Sequence, residues 1–130
     1  MGEAYEDCDL IYLRPLLHAL EWLARDAEQQ VGYVTAERVS VDELALMFYD
    51  VYPGASQHLE SRPDDRALLE ELGKIDRLLD EMSDGPSALW SAEAPFSAQE
   101  WADLRRQSRS VIDLLCWQYP WLWEFSGWCG

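Results

Sequence analysis

The groups best able to hold a cation or move a proton are concentrated in residues 61–86, SRPDDRALLEELGKIDRLLDEMSDGP, which carry Asp64, Asp65, Glu70, Glu71, Asp76, Asp80, Glu81 and Asp84. Asp76 and Asp80 are four residues apart, so on a helix they share a face. Two carboxylates so placed can hold Mg2+ together with a substrate phosphate. Nucleophilic catalysis has less support, because it needs a base beside the nucleophile. The two histidines are His18, in a leucine-rich stretch, and His58, in a polar one expected to be a turn. Neither is accompanied by Gly-x-Ser-x-Gly or a papain-like cysteine context, and such histidines are usually structural. Cys8, Cys116 and Cys129 are widely separated, with no CxxC or Cys/His spacing, and read as reduced thiols. Phosphate-cradling glycine motifs are absent. No catalytic residue, metal ligand or cofactor is therefore assigned.

One carboxylate pair resembles a known constellation. Glu81 and Asp84 form an ExxD, as in all-α nucleotide pyrophosphohydrolases of the MazG type, which join it to an ExxE on another helix. The one ExxE here is Glu3 to Glu6, ahead of the first expected helix, and Glu100 with Asp103 makes a second ExxD of the kind an acidic chain produces by chance. A Mg2+-dependent phosphohydrolase is thus the third of three readings.

Helices are the elements expected to hold these groups. From Asp9 to Gln30, residues Leu13, Leu16, Leu17, Leu20, Leu23, Ala24 and Ala27 recur at spacings of three and four, the period of an amphipathic helix, with Pro15 expected in its first turn. Residues 31–39, VGYVTAERV, suit either a loop or a short hairpin. A second helix is expected to start on a capping box, Ser40 with Glu43, stapled by Val39 and Leu44, to bury Val41, Leu44, Phe48 and Val51, and to end at Pro53-Gly54. The third carries acids in its first turn, buries Leu68, Leu69, Leu72, Ile75, Leu79 and Met82, and stops at Gly85-Pro86. Residues 86–95 read as a loop containing Trp90. A fourth helix is expected to open on Ser97 and Glu100, with Phe96 and Trp101 as its staple, and to run to a break near Pro120. Arg105, Arg106 and Arg109 are expected on its solvated side, balanced by nearby acids.

This pattern predicts one all-α domain, a four-helix antiparallel bundle-like fold with a Trp-rich C-terminal extension. That extension, residues 116–130, holds Trp117, Trp121, Trp123 and Trp128. It could present aromatic anchors to a partner, but covering the core is the expected arrangement, since so large an exposed patch promotes association.

Charge narrows the function classes. Against 25 Asp and Glu stand 10 Lys and Arg, a formal net charge of -15 in 130 residues. Such a field repels nucleic acid and speeds encounter with a basic protein, although acidity also serves solubility alone. The start, MGEAYEDCDL, lacks the basic n-region of a secretory signal, and no apolar run approaches a membrane span. A cytoplasmic protein with no membrane contact is expected.

The order of segments also resembles a family. A leucine-rich helix, then VSVDELALMFYDVYP, LLEELGKIDRLLDEMSD and FSAQEWADLRRQSRSVIDLL, is similar over about residues 10–115 to the immunity proteins of colicin D and their relatives. The Trp-rich tail departs from that pattern. The resemblance implies an acidic helical protein that plugs the active site of a basic toxin, typically a tRNA-cleaving ribonuclease. It places the toxin-facing acids at Asp76, Asp80, Glu81, Asp84 and, in the following loop, Glu93. An acidic helical adaptor or regulatory module is the alternative.

Overall fold

Leucines at helical spacing wind the first stretch into α1 (Asp7–Ala24) in the computed structural model, which describes residues 7–125. There follow α2 (Ala27–Glu37), α3 (Asp42–Glu60), a 3-10 turn (Pro63–Asp65), α4 (Arg66–Asp84), a second 3-10 turn (Ser87–Trp90), α5 (Ala94–Ser97), α6 (Gln99–Gln118) and a third 3-10 turn (Pro120–Phe125). Among the described residues there is no strand, so the fold is all-α. The expected count of four helices is corrected to six among the described residues, four of them long. The long helices close a ring, with α1 against α3 and α6, and α4 also against α3 and α6. Inside it lie Leu16 and Leu20 of α1, Phe48 and Leu59 of α3, Leu72, Ile75 and Leu79 of α4, and Trp101, Leu104 and Leu115 of α6, all fully buried.

The extra helix α2 replaces the expected loop or hairpin at residues 31–39. Asp26 breaks the chain after α1 and caps α2, its carboxylate accepting from the Gln29 N–H at 2.9 Å. Gln30 then reaches back, and its side-chain amide donates to the Trp22 and Leu23 carbonyls at 3.0 and 3.1 Å. Two carbonyls at the end of α1 that have no helical partner are satisfied in this way. Arg38 ends α2 in the left-handed region at φ 59°, where glycine is more usual.

Both helix-internal prolines depart from expectation. α1 begins at Asp7, which puts Pro15 in its third turn rather than its first, and α3 runs through Pro53 to Glu60 rather than stopping there. Pro15 and Pro53 face solvent, where water can satisfy the carbonyl that each leaves unpaired. Beyond Pro53 the buried stripe continues through Ala55 and Leu59, which keeps α3 on the core. Gly54 serves packing instead of termination: a Cβ there would come within 3.3 Å of the Tyr12 ring on α1.

The expected caps are also replaced. The Ser40 hydroxyl donates to the Asp42 carboxylate, and the Glu43 N–H bonds the Ser40 backbone carbonyl at 3.0 Å, so no side-chain capping box forms. Val39 is exposed and staples nothing. Ser97 lies in α5 with its hydroxyl on the Glu93 carbonyl, Ala98 takes the N-cap position of α6, and Phe96 is 59% exposed. Residues 86–95 hold a 3-10 turn and the start of α5 rather than a loop. Asp64 and Asp65 belong to the turn ahead of α4, not to its first turn.

The aromatic extension is divided. Tyr119, Trp121 and Leu122 are buried over the core, whereas Trp117 is 80% exposed and Trp123 43%. Trp128 lies outside the described residues.

Candidate partner-binding surface

On α4, buried positions recur at Leu68, Leu72, Ile75, Leu79 and Met82, and the carboxylates fill the helix surface this stripe leaves free. Asp76 and Asp80 flank the side turned toward α3. The Tyr49 hydroxyl of α3 donates to Asp80 Oδ1 at 3.1 Å. Partial burial, then repulsion by Asp80, raises the Asp76 carboxyl above its usual range, against a smaller pull from Arg77. Burial is also the largest cause raising the Tyr49 phenol, with Ser83 opposing and Asp80 and Asp76 adding. Tyr52, one turn along, is raised by burial and by Asp76.

Of the five acids expected at the surface, Asp76 and Asp80 are therefore brought together. Glu81 and Asp84 are exposed near the end of α4, and Glu93 is exposed just before α5. No interaction ties Glu93 to the α4 pair. Residues that the sequence pattern did not place together complete the neighbourhood. Between the start of α3, the end of α4 and the turn after it, Asp42, Ala45, Leu46, Tyr49, Ser83 and Trp90 line an open cleft of about 250 Å³. The spacing of Tyr49 and Tyr52 on one helix was the available signal, but Asp80, the partner of Tyr49, is 31 residues away in sequence.

The expected solvated basic cluster is corrected at Arg105, which is half-buried. Arg105 Nη1 donates to the Gln30 side-chain oxygen at 3.0 Å and Arg109 Nε to the Ala24 carbonyl at 3.1 Å, so both close the junction of α1 and α2. Arg109 and Arg106 remain exposed as expected, and Arg106 pairs with Asp103 at 2.6 Å. Elsewhere Lys74 pairs with Glu71 at 2.8 Å, and Arg62 with the buried Asp9 at 2.8 Å. His58 is not in a turn: it lies in the last turn of α3, 2.7 Å from Asp9 and stacked on Tyr12. Cations are thus largely engaged by the chain itself, while most carboxylates of α4 face outward.

Metal chemistry would need converging ligands. Among the described residues no three His, Cys, Asp or Glu side chains are grouped to hold an ion, and the Glu3–Glu6 pair lies outside those residues. Among the described residues no helix is long and apolar enough to cross a membrane. Comparison of the chain with protein-family models, with curated proteins and with solved structures gave no match.

Proposed function

We propose that this protein is an inhibitor of the immunity type, which neutralises a basic nuclease toxin by seating the carboxylates of α4 in its phosphate-binding cleft. The observation that carries the reading is the placement of Asp76 beside Asp80 on a helix anchored by a continuous buried stripe, where the Tyr49 hydroxyl and a smaller pull from Arg77 only partly offset their repulsion. A ribonuclease cleft is lined with cations that hold phosphates, and fixed carboxylates can occupy those subsites as substrate mimics. Intramolecular engagement of Arg62, Arg105, Arg106, Arg109 and Lys74 supports it, because a basic partner then meets few competing cations.

A capture experiment tests this, with the native chain and the Asp80→Lys/Glu81→Lys double variant as baits in a lysate of the source cell. The expected result is a basic nuclease held by the native bait alone, whose tRNA cleavage is suppressed stoichiometrically by added native chain. Capture of a nuclease that remains active in the complex would overturn the inhibitor reading.

A second reading, an acidic adaptor, draws on the groove lined by Asp113, Cys116, Trp117, Pro120 and Trp123, where Trp117 is 80% exposed. Exposed tryptophans are favoured binding anchors. Capture of a non-nuclease partner that is lost in Trp117→Ala but kept in the α4 double variant would establish it.

A further inference from the structure

The cleft between α3, α4 and the Ser87–Trp90 turn has a selective hydrogen-bonding character. Each side-chain donor on its wall is already engaged within the protein. The Tyr49 hydroxyl donates to Asp80 at 3.1 Å, the Ser83 hydroxyl to the Leu79 carbonyl at 2.9 Å, and the Trp90 indole N–H to the Met82 carbonyl at 3.2 Å. What the lining keeps is mainly acceptor capacity, above all the Asp42 carboxylate, which takes one proton from the Ser40 hydroxyl and has further lone pairs to offer. Asp42 and Glu43 also answer the positive end of the α3 dipole at this rim.

A site that accepts but does not donate suits a ligand that donates but does not accept. Among protein side chains, lysine and arginine fit that description. The cleft also carries two aromatic rings, Tyr49 and Trp90, the second fixed by its indole bond and by edge contact with Trp101 at 5.7 Å. Aromatic faces attract cations, and the planar guanidinium stacks on them where the compact ammonium cannot. Leu46, 47% exposed, offers the rim an apolar surface for an aliphatic stem.

We infer that this cleft is a receptor for an arginine side chain projecting from the basic partner, an anchor point beside the Asp76–Asp80 face. The inference rests on the proposed binding of a basic protein, but its chemistry can be read without that partner. The full chain, labelled with 15N, is titrated with N-acetyl-arginine amide and, separately, with the neutral and nearly isosteric N-acetyl-citrulline amide. Saturable shifts confined to the Trp90 indole and to the amides around Asp42, Leu46 and Ser83 are expected with arginine alone. Asp42→Asn should weaken that binding by about threefold to tenfold, whereas Asp113→Asn, which removes the same charge at another groove, should leave it unchanged.

Equal shifts with citrulline, or shifts with arginine scattered over the acidic surface, would overturn the inference. If arginine fills the cleft and the lysate yields no nuclease, the receptor stands and the inhibitor reading falls. If a nuclease is captured and inhibited while the cleft ignores arginine, the reverse holds.

Discussion

His58 Nε2 lies 2.7 Å from Asp9 Oδ1, joining α3 to α1 across 49 residues of sequence. Asp9 is 4% exposed and also receives Arg62 at 2.8 Å, and Arg62 in turn donates to the Tyr119 hydroxyl at 3.3 Å. One carboxylate thus helps hold α1, the end of α3 and the chain after α6. Asp9→Asn keeps the shape but removes the charge that two donors share. It is expected to destabilise the fold by about 1–3 kcal/mol, the range for a buried charge-assisted hydrogen bond. Urea unfolding measures this, and a loss below ~0.5 kcal/mol would mean that the network is incidental. Partner binding should be unaffected, because Asp9 lies away from the α4 acids in this reading.

Alkaline pH should loosen the same end of the molecule. Burial pushes the Cys116 thiol up from 9.0 to about 11, with Glu21 and Asp113 adding to the effect. The Tyr119 phenol is raised as well, by burial first and then by Asp65, which accepts its proton at 2.5 Å. In both cases the folded state holds the proton more tightly than the unfolded chain, so stability is complete at lower pH and falls as pH rises through the raised values. For Cys116 that window runs from 9.0 to about 11. Urea midpoints measured across it should fall in the native protein and fall less steeply in Cys116→Ala. Parallel slopes in the two proteins would rule out the thiol as a cause.

Asp76 predicts a trade between stability and binding. Its folded carboxyl titrates above the ordinary value, so ionisation at neutral pH works against the fold. Asp76→Asn should therefore raise the melting temperature, on the order of a degree, at neutral pH. The gain should vanish at pH low enough for Asp76 to be protonated. The same variant should bind the basic partner more weakly. Stabilisation with undiminished binding would remove Asp76 from the contact surface.

The buried stripes of α1, α4 and α6 were legible in the sequence because apolar spacing of three and four survives any tertiary detail. Proline positions were not, since the effect of Pro15 and Pro53 depends on which face of the helix meets water. Ser40 and Ser97 carry a helix-start signature, but α3 and α6 begin two residues beyond them, at Asp42 and Gln99, so Val41 and Ala98 stand at the N-cap and neither serine oxygen accepts a helix N–H. Asp65, expected among the first-turn acids of the third helix, is instead 1% exposed and paired with Tyr119. Acids on α4 could be named from composition and resemblance, but the cleft beside them required Tyr49, Ser83 and Trp90 to meet from three elements.

Salt should govern how fast the partner arrives more than how long it stays. Exposed carboxylates steer an oppositely charged protein through a field that is screened over about 8 Å at physiological ionic strength. Stopped-flow association with the captured partner is expected to slow about tenfold or more between ~50 and ~500 mM NaCl, with dissociation changing less than about twofold. An association rate indifferent to salt would point instead to the Trp117 and Trp123 groove.

Gln30 is the residue whose substitution should be most informative about the fold. Its side chain is fully buried, donating to the Trp22 and Leu23 carbonyls while accepting from Arg105. Leucine at this position matches the volume but leaves two carbonyls and a guanidinium without partners, and a loss of about 2–3 kcal/mol is expected. Gln30→Glu separates the contributions. A carboxylate would attract Arg105 more strongly, yet it would also set an oxygen against two carbonyl oxygens. If the carbonyl bonds hold α2 against α1, Gln30→Glu is destabilised despite its better ion pair, and hydrogen exchange rises first in α2. A glutamate variant as stable as the native protein would assign the junction to Arg105 instead, and Arg105→Ala should then be the more damaging change.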